Sequence, residues 1–324
     1  MSGINPVPLI FAGTEPSPAP ELVLVVGQPG AGAQSLLHAM LSEHAPTVAS
    51  VAAEDFAAFH PDFLELTTWR PLDAPAAIAP RVAEWIGATL DHARTSHRSL
   101  QFTTSVSTPA PAIGTATAFK AEGFSTHLVI VATPQHESLL ATASRFLNAR
   151  RLRLPARFTD RAAHDRSFAG TQSLARAAED AADLDRVTLL DQTGRRIFDA
   201  THEDGLAGVA EAIEVAHAAP ISVLEGARWF GELRAITDFA RRARELAPPV
   251  TEVLIELHEL ALTEVLPRMP VPPDSSFAVD QVMRLRSEID ALSFELPESA
   301  RSVGPIEEAG PVVSPAPSRG GPSL

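Results

Sequence analysis

The residues best suited to chemistry are the glycines of GQPGAGAQSLL at 27–37, which follow the apolar run 21–26. Glycines at this spacing let successive backbone N–H groups turn inward on a phosphate at a helix N-terminus, where the macrodipole adds favourable potential. A loop that also transfers phosphate reads G-x-x-x-x-G-K-[ST], the lysine reaching the terminal phosphates and the hydroxyl binding Mg²⁺. Gly27 and Gly32 hold the glycine positions, but Ala33 stands at the lysine and Gln34 at the hydroxyl. The segment Gly27, Gln28, Pro29, Gly30, Ala31, Gly32, Ala33, Gln34 and Ser35 is therefore expected to cradle a phosphate with backbone amides alone. Ser35 does not replace the hydroxyl, because one residue later it points about 100° around the helix. The competing reading, a plain strand-to-helix turn, is weakened by the buried strand before the loop and the helical spacing after it.

Other chemistries find less support. Zero cysteines exclude disulfides, thiolate metal sites and a cysteine nucleophile. The 11 histidines show no HExxH or HxH grouping, so no metal site of protein ligands is expected. G-x-S-x-G is absent, which removes a hydrolase nucleophile elbow. The chain's sole lysine, Lys120, closes a helix ahead of the strand at 126–133 and so belongs at the N-terminal edge of the sheet. Phosphates bind at the opposite edge in open α/β sheets. An arginine is the remaining cation, and Arg150, Arg151, Arg153 and Arg157 form the cluster from which it would come, against the alternative of a solvated helix end.

These residues need a scaffold, and the pattern supplies one. Short apolar runs at 21–26, 47–53, 99–106 and 126–133 read as strands, and 186–200 as two short strands around Gln192-Thr193-Gly194. Between them, 34–42, 76–93, 113–122, 136–150 and 160–180 have helical spacing, with Ile78, Val82, Ile86 and Leu90 four apart on one face. Such alternation predicts an α/β fold, a parallel sheet with helices on both faces. From about 206 the pattern is helical only, with stripes through Trp229, Leu233, Ile236 and Ala240, through Val250, Leu254, Leu257 and Ala261, and through Val282, Leu285, Ile289 and Leu292. Trp229 and Phe230 read as core of this all-helical segment. Residues 1–19 and 301–324 are proline-rich and short of large apolar groups, so both ends are expected to be disordered.

Composition bounds the partners. A net charge of −14 opposes a nucleic-acid backbone. No apolar stretch approaches a membrane span and no basic, apolar leader opens the chain, so a cytoplasmic protein without membrane contact is expected.

GQPGAG is followed in order by EDFAAFHP at 54–61, a strand and then STP at 107–109, ARFTDRAAHD at 156–165 and DRVTLLDQTGRRIFD at 185–199. This succession resembles the zeta toxin family of P-loop kinases over more than half of the chain. The resemblance implies a kinase that uses ATP and Mg²⁺ to phosphorylate the sugar of UDP-N-acetylglucosamine and is held in check by a small helical antitoxin. It also implies that 20–202 is the kinase-like domain and 203–300 a helical addition. Carried over by position, it makes Glu54 the base, Arg145 and Arg157 phosphate-facing arginines, and His60, Thr103, Thr104 and Ser105 substrate contacts. The departures fall on polar groups. Besides Ala33 and Gln34, Glu54 stands for an aspartate, Ala57 and Ser107 for arginines, and Thr103 for a glutamate. His164 and Asp165 are kept. Three readings follow: a degenerate kinase homologue that keeps weak nucleotide or UDP-sugar binding and acts through protein contacts; a working kinase with a rearranged phosphate site; and an interaction scaffold whose helical segment is the functional part.

Overall fold

The computed structural model describes residues 4–33, 36 and 48–297. Gln34, Ser35, nearly all of the helix expected over 34–42, and the tail 301–324 lie outside the described residues. Six strands make one sheet in the order β2-β3-β1-β4-β5-β6: β1 (Glu21–Val26), β2 (Ala49–Ala52), β3 (Leu100–Thr104), β4 (Ser125–Val131), β5 (Arg186–Leu190) and β6 (Arg196–Thr201). The first five are parallel, as the alternating pattern predicts, and β6 runs antiparallel to β5. The reason is local. A parallel return needs a crossover of about a dozen residues, whereas here Asp191 closes a tight turn, its Oδ1 accepting from the amides of Thr193 at 2.9 Å and Arg195 at 3.0 Å. β1 lies between β3 and β4, so the loop after it emerges at a switch in strand order, where open sheets bind ligands.

One face of the sheet packs on α1 (Val7–Ile10), α3 (Ala74–Thr95), α4 (Ala110–Lys120), α6 (Arg161–Glu179) and α7 (Val209–His217). Two elements went unread in the sequence, a 3₁₀ turn over Ala53–Phe59 and the short α2 (Phe63–Trp69). Both carry parts of the cleft described below. On α3 the fully buried groups below Ile78 are Trp85, Thr89 and Ala93, while Val82, Ile86 and Leu90 of the expected stripe are half-buried.

The amino-terminal expectation needs correction. Residues 4–19 are in place: Val7 and Phe11 join the main core, and the Phe11 ring meets His92 at 4.7 Å. Arg98 donates to both oxygens of Thr14, and the Ser17 amide donates to the His97 carbonyl at 2.8 Å. Proline content misled here, because two large apolar side chains suffice to dock a short segment whose backbone is otherwise pinned by one arginine.

The helical region comprises α5 (Gln135–Arg151), which belongs to the α/β alternation, and then α8 (Val223–Ala243), α9 (Pro248–Leu260) with a π-helical turn at Ala261–Val265, and α10 (Ser276–Glu295). Ser222 and Glu225 form a reciprocal capping box at the start of α8, and Ser275 caps α10. Trp229, Leu233, Leu254, Leu257, Leu285 and Leu292 share one core with Leu139, Leu140, Phe146 and Leu147 of α5. The predicted stripes thus close on a helix of the sheet layer. Trp229 seals the junction, its Nε1 donating to the His136 carbonyl at 3.2 Å.

Candidate functional site

The loop after β1 owes its path to glycine at two positions. Gly30 and Gly32 have φ of +83° and +86°, which side-chain-bearing residues rarely adopt. A Cβ on Gly30 would also lie 2.1 Å from the Ser138 carbonyl oxygen, so the loop is pressed against the start of α5. Gln28 fastens it there. Its buried amide donates to the Thr133 carbonyl at 2.6 Å and to Ser138 Oγ at 3.1 Å, while Thr133 Oγ1 donates to the Ala31 carbonyl at 2.9 Å. Ser138 Oγ in turn lies 3.0 Å from Nε2 of the fully buried His164. Among the described residues no carbonyl accepts from the amides of Gly30 or Gly32, and both residues line the cleft. Two amides with no carbonyl partner among the described residues, on a glycine loop held in place by Gln28 and Thr133, suit an anion.

The side chains tell a different story. Ala33 is buried beside Val23, Val25 and Leu36, in an apolar cluster beneath the loop. No cation stands at that position. The cationic groups that line the 390 Å³ cleft come from its far wall, where the 3₁₀ turn presents Glu54 to Arg157 and Arg145. Arg157 donates to the Glu54 carbonyl at 2.7 Å and to its carboxylate at 3.1 Å; Arg145 stands 3.9 Å from the same carboxylate oxygen. Glu54 is the only carboxylate among the described lining residues, and Arg145 and Arg157 are the only cations.

Most residues singled out in the sequence converge on this cleft. Gly27, Gln28, Pro29, Gly30, Ala31, Gly32 and Ala33 form its floor, Thr103, Thr104 and Ser105 at the end of β3 one side, and Glu54, Arg145 and Arg157 the other. His60 does not line it. It ends the 3₁₀ turn, where its Nδ1 accepts from the Asp62 amide at 3.2 Å. Of the arginine cluster only Arg157 reaches the cleft, since Arg150 pairs with Glu245 at 2.9 Å. Lys120 sits at the N-terminal edge, bound to Asp185, where topology placed it. Hydrogen bonds from Lys120 and Thr126 outweigh the opposing effect of burial and hold the Asp185 carboxyl below its usual range. Ser138 and Thr133 were missed; nothing in the sequence marks a serine 110 residues from Gln28 as its partner.

The backbone of the loop suits a phosphate group. Among the described residues the one carboxylate lining the cleft is held by arginine, and no cluster of metal-ligating groups occurs. No helix of the described residues is long and apolar enough to cross a membrane.

Comparison with known proteins agrees with this architecture. The zeta toxin family model matches residues 10–203, more than half of the chain. Toxin zeta of Streptococcus pyogenes is 27% identical over 137 residues, 42% of this chain and 48% of that protein. Toxin zeta of Enterococcus hirae is 28% identical over the same shares. The chain thus spans about half the length of these relatives. A solved structure of the PezAT chromosomal toxin–antitoxin system of Streptococcus pneumoniae superposes with a TM-score of 0.57 at 17% identity, covering 72% of this chain and 91% of that one, a likeness of fold. With the family model matched across the strands and the glycine loop that build the cleft, the chain belongs to the zeta toxin family.

Proposed function

We propose that this chain is a nucleotide-binding member of its family in which phosphoryl transfer is lost and whose effect is exerted through protein contacts. The observation that carries this reading is Ala33, a methyl group packed into an apolar cluster at the point where the terminal phosphates need a cation. Removal of one such preorganised group typically costs about two to three orders of magnitude in rate. No step through Mg²⁺ is derived, because the one carboxylate of the described cleft is held by Arg157. Gly30 and Gly32 bind the phosphate chain through their amides, and Gln28 and Thr133 keep the loop in shape to do so. A protein partner of the antitoxin kind and a cytoplasmic setting fit the family. The acidic surface disfavours nucleic acid.

The test is calorimetry with ATP, with and without Mg²⁺. Weak binding, little changed by the metal, is expected, and Ala33→Lys should strengthen it by about 1.5–3 kcal/mol, the scale of a hydrogen bond to a charged group. Submicromolar, strongly metal-dependent binding by the unaltered chain would overturn the reading.

One observation favours a second reading, an active UDP-N-acetylglucosamine kinase with a rearranged site. Glu54, Arg145 and Arg157 stand together on one wall of the cleft, so that an arginine could stand in for lysine and Glu54 serve as base. A product assay with UDP-N-acetylglucosamine and ATP separates the two, since only this second reading yields a phosphorylated sugar nucleotide.

A further inference from the structure

A second cavity, of 490 Å³, opens off the phosphate cleft between the sheet, α3, α4 and the start of α6. The two share Ala79, Val82, Thr104 and Ser105, so they form one continuous hollow with different linings at its two ends. The second is walled by Leu24 and Phe102 from the sheet, Val82, Ile86 and Leu90 from α3, and Pro111 from α4. It explains why α3 buries Trp85, Thr89 and Ala93 while the stripe beside them stays half-buried. Val82, Ile86 and Leu90 pack against the main core on one side and line this cavity on the other. Arg166 is the only charged residue among those described along its lining, and Arg166 is itself exposed. The polar groups Thr104 and Ser105 lie at the mouth shared with the phosphate cleft.

We propose that this cavity binds an uncharged, mainly apolar small molecule, oriented with its polar end at Thr104 and Ser105. Three features point to that class. The volume falls within the range of about 300–1,000 Å³ usual for small-molecule sites. Burying a diphosphate here would strip two negative charges of water with one exposed arginine in return, a poor exchange in an apolar setting. Apolar side chains left half-buried along a concavity gain from a ligand that removes their remaining surface from water. The ligand's place beside the phosphate cleft makes it the neighbour of a bound nucleotide, an assignment that rests on the nucleotide reading above; the apolar binding itself does not.

The experiment titrates the full chain with N-phenyl-1-naphthylamine, an uncharged probe that fluoresces on entering apolar sites, and in parallel with a fluorescent ATP analogue. Saturable one-to-one binding of the naphthylamine is expected. Ala83→Trp on α3 fills the cavity and should weaken probe binding at least tenfold while leaving ATP-analogue binding unchanged, since Ala83 lines this cavity and not the cleft. Thr115→Phe, filling from α4, should do the same, and Ala83→Leu provides a milder filling should the tryptophan prevent folding, which circular dichroism reports. Excess UDP-N-acetylglucosamine should not displace the probe. Non-saturable binding, indifference to the filling variants, or displacement by the sugar nucleotide would each overturn the inference. Probe binding without ATP-analogue binding would instead remove the nucleotide reading and leave the apolar site standing.

Discussion

Glu54 engages Arg157 through its backbone oxygen and its carboxylate at once, and Arg145 approaches the same carboxylate. In the absence of a lysine, these arginines are the cations that an incoming phosphate would need to recruit, so Glu54 competes with the nucleotide for them. Glu54→Gln should therefore raise affinity for ATP by about 1 kcal/mol, the upper end for a partly exposed ion pair, because the arginines are released. Calorimetry decides it: unchanged or weaker binding would mean that the arginines never reach the phosphates. Glu54 and Arg157 fall in the ordered sequence blocks, whereas Arg145 and Thr103–Ser105 were reached only by position through the family resemblance; all of them line one cleft. The Gln28–Ser138–His164 tie was not legible, because a hydrogen bond between residues so far apart in sequence leaves no spacing to read.

Among the elements, those with several turns or a full apolar run were legible, and those shorter than a hydrophobic period were not. β1 and β4 are nearly continuous apolar strands and announce themselves; the 3₁₀ turn that carries Glu54 and the seven-residue α2 have too few residues to show a period. α1 shows the same limit more sharply. Its four residues carry no pattern, yet Val7 and the following Phe11 enter the core. Phe11→Ala should cost about 3 kcal/mol, at the lower end for deleting a buried aromatic because the site lies at the edge of the domain. Leu9→Ala, at a residue 58% exposed, should change stability by no more than about 0.5 kcal/mol. Denaturant melts of the two variants test this, and equal midpoints would mean that the segment adds nothing to the fold.

At the scale of the molecule, the sheet layer and the helical region meet along α5, where charge and packing pull stability in opposite directions with pH. Burial lowers the pKa of His217 to about 4. The neutral form is favoured in the folded chain, so its contribution is full above the ordinary histidine value and is lost as pH falls toward 4. Glu256 of α9, buried against Arg161 of α6 with Asp165 and Glu259 nearby, has its pKa raised by burial to about 7. Its contribution is full below the ordinary carboxyl value and is lost as pH rises through 7. Glu256→Gln keeps a hydrogen-bonding group beside Arg161 without the charge, so it should stabilise the chain at pH 8 by about 1–3 kcal/mol and leave it unchanged near pH 4. Thermal melts at the two pH values would show the difference, and a stabilisation independent of pH would remove the titration account.

The change of sequence pattern near residue 206 suggests a boundary, but the packing does not divide there. α7, beyond that point, rests on the sheet core through Val209 and Ile213, while α8 and α9 cover Leu139, Leu140, Phe146 and Leu147 of α5 and α10 packs on α9. Periodicity reports which face of a helix is apolar and not what that face will meet. A chain ending at residue 218 would retain every strand and α7 yet uncover those four side chains. At about 1.5–3 kcal/mol for each, the loss is comparable with the whole of a typical domain's stability of about 5–15 kcal/mol. The shortened chain should therefore show no cooperative melt and should bind dyes that report exposed apolar surface. A cooperative transition within a few degrees of the full chain's would mean that α5 repacks alone and that the helical region is an independent unit.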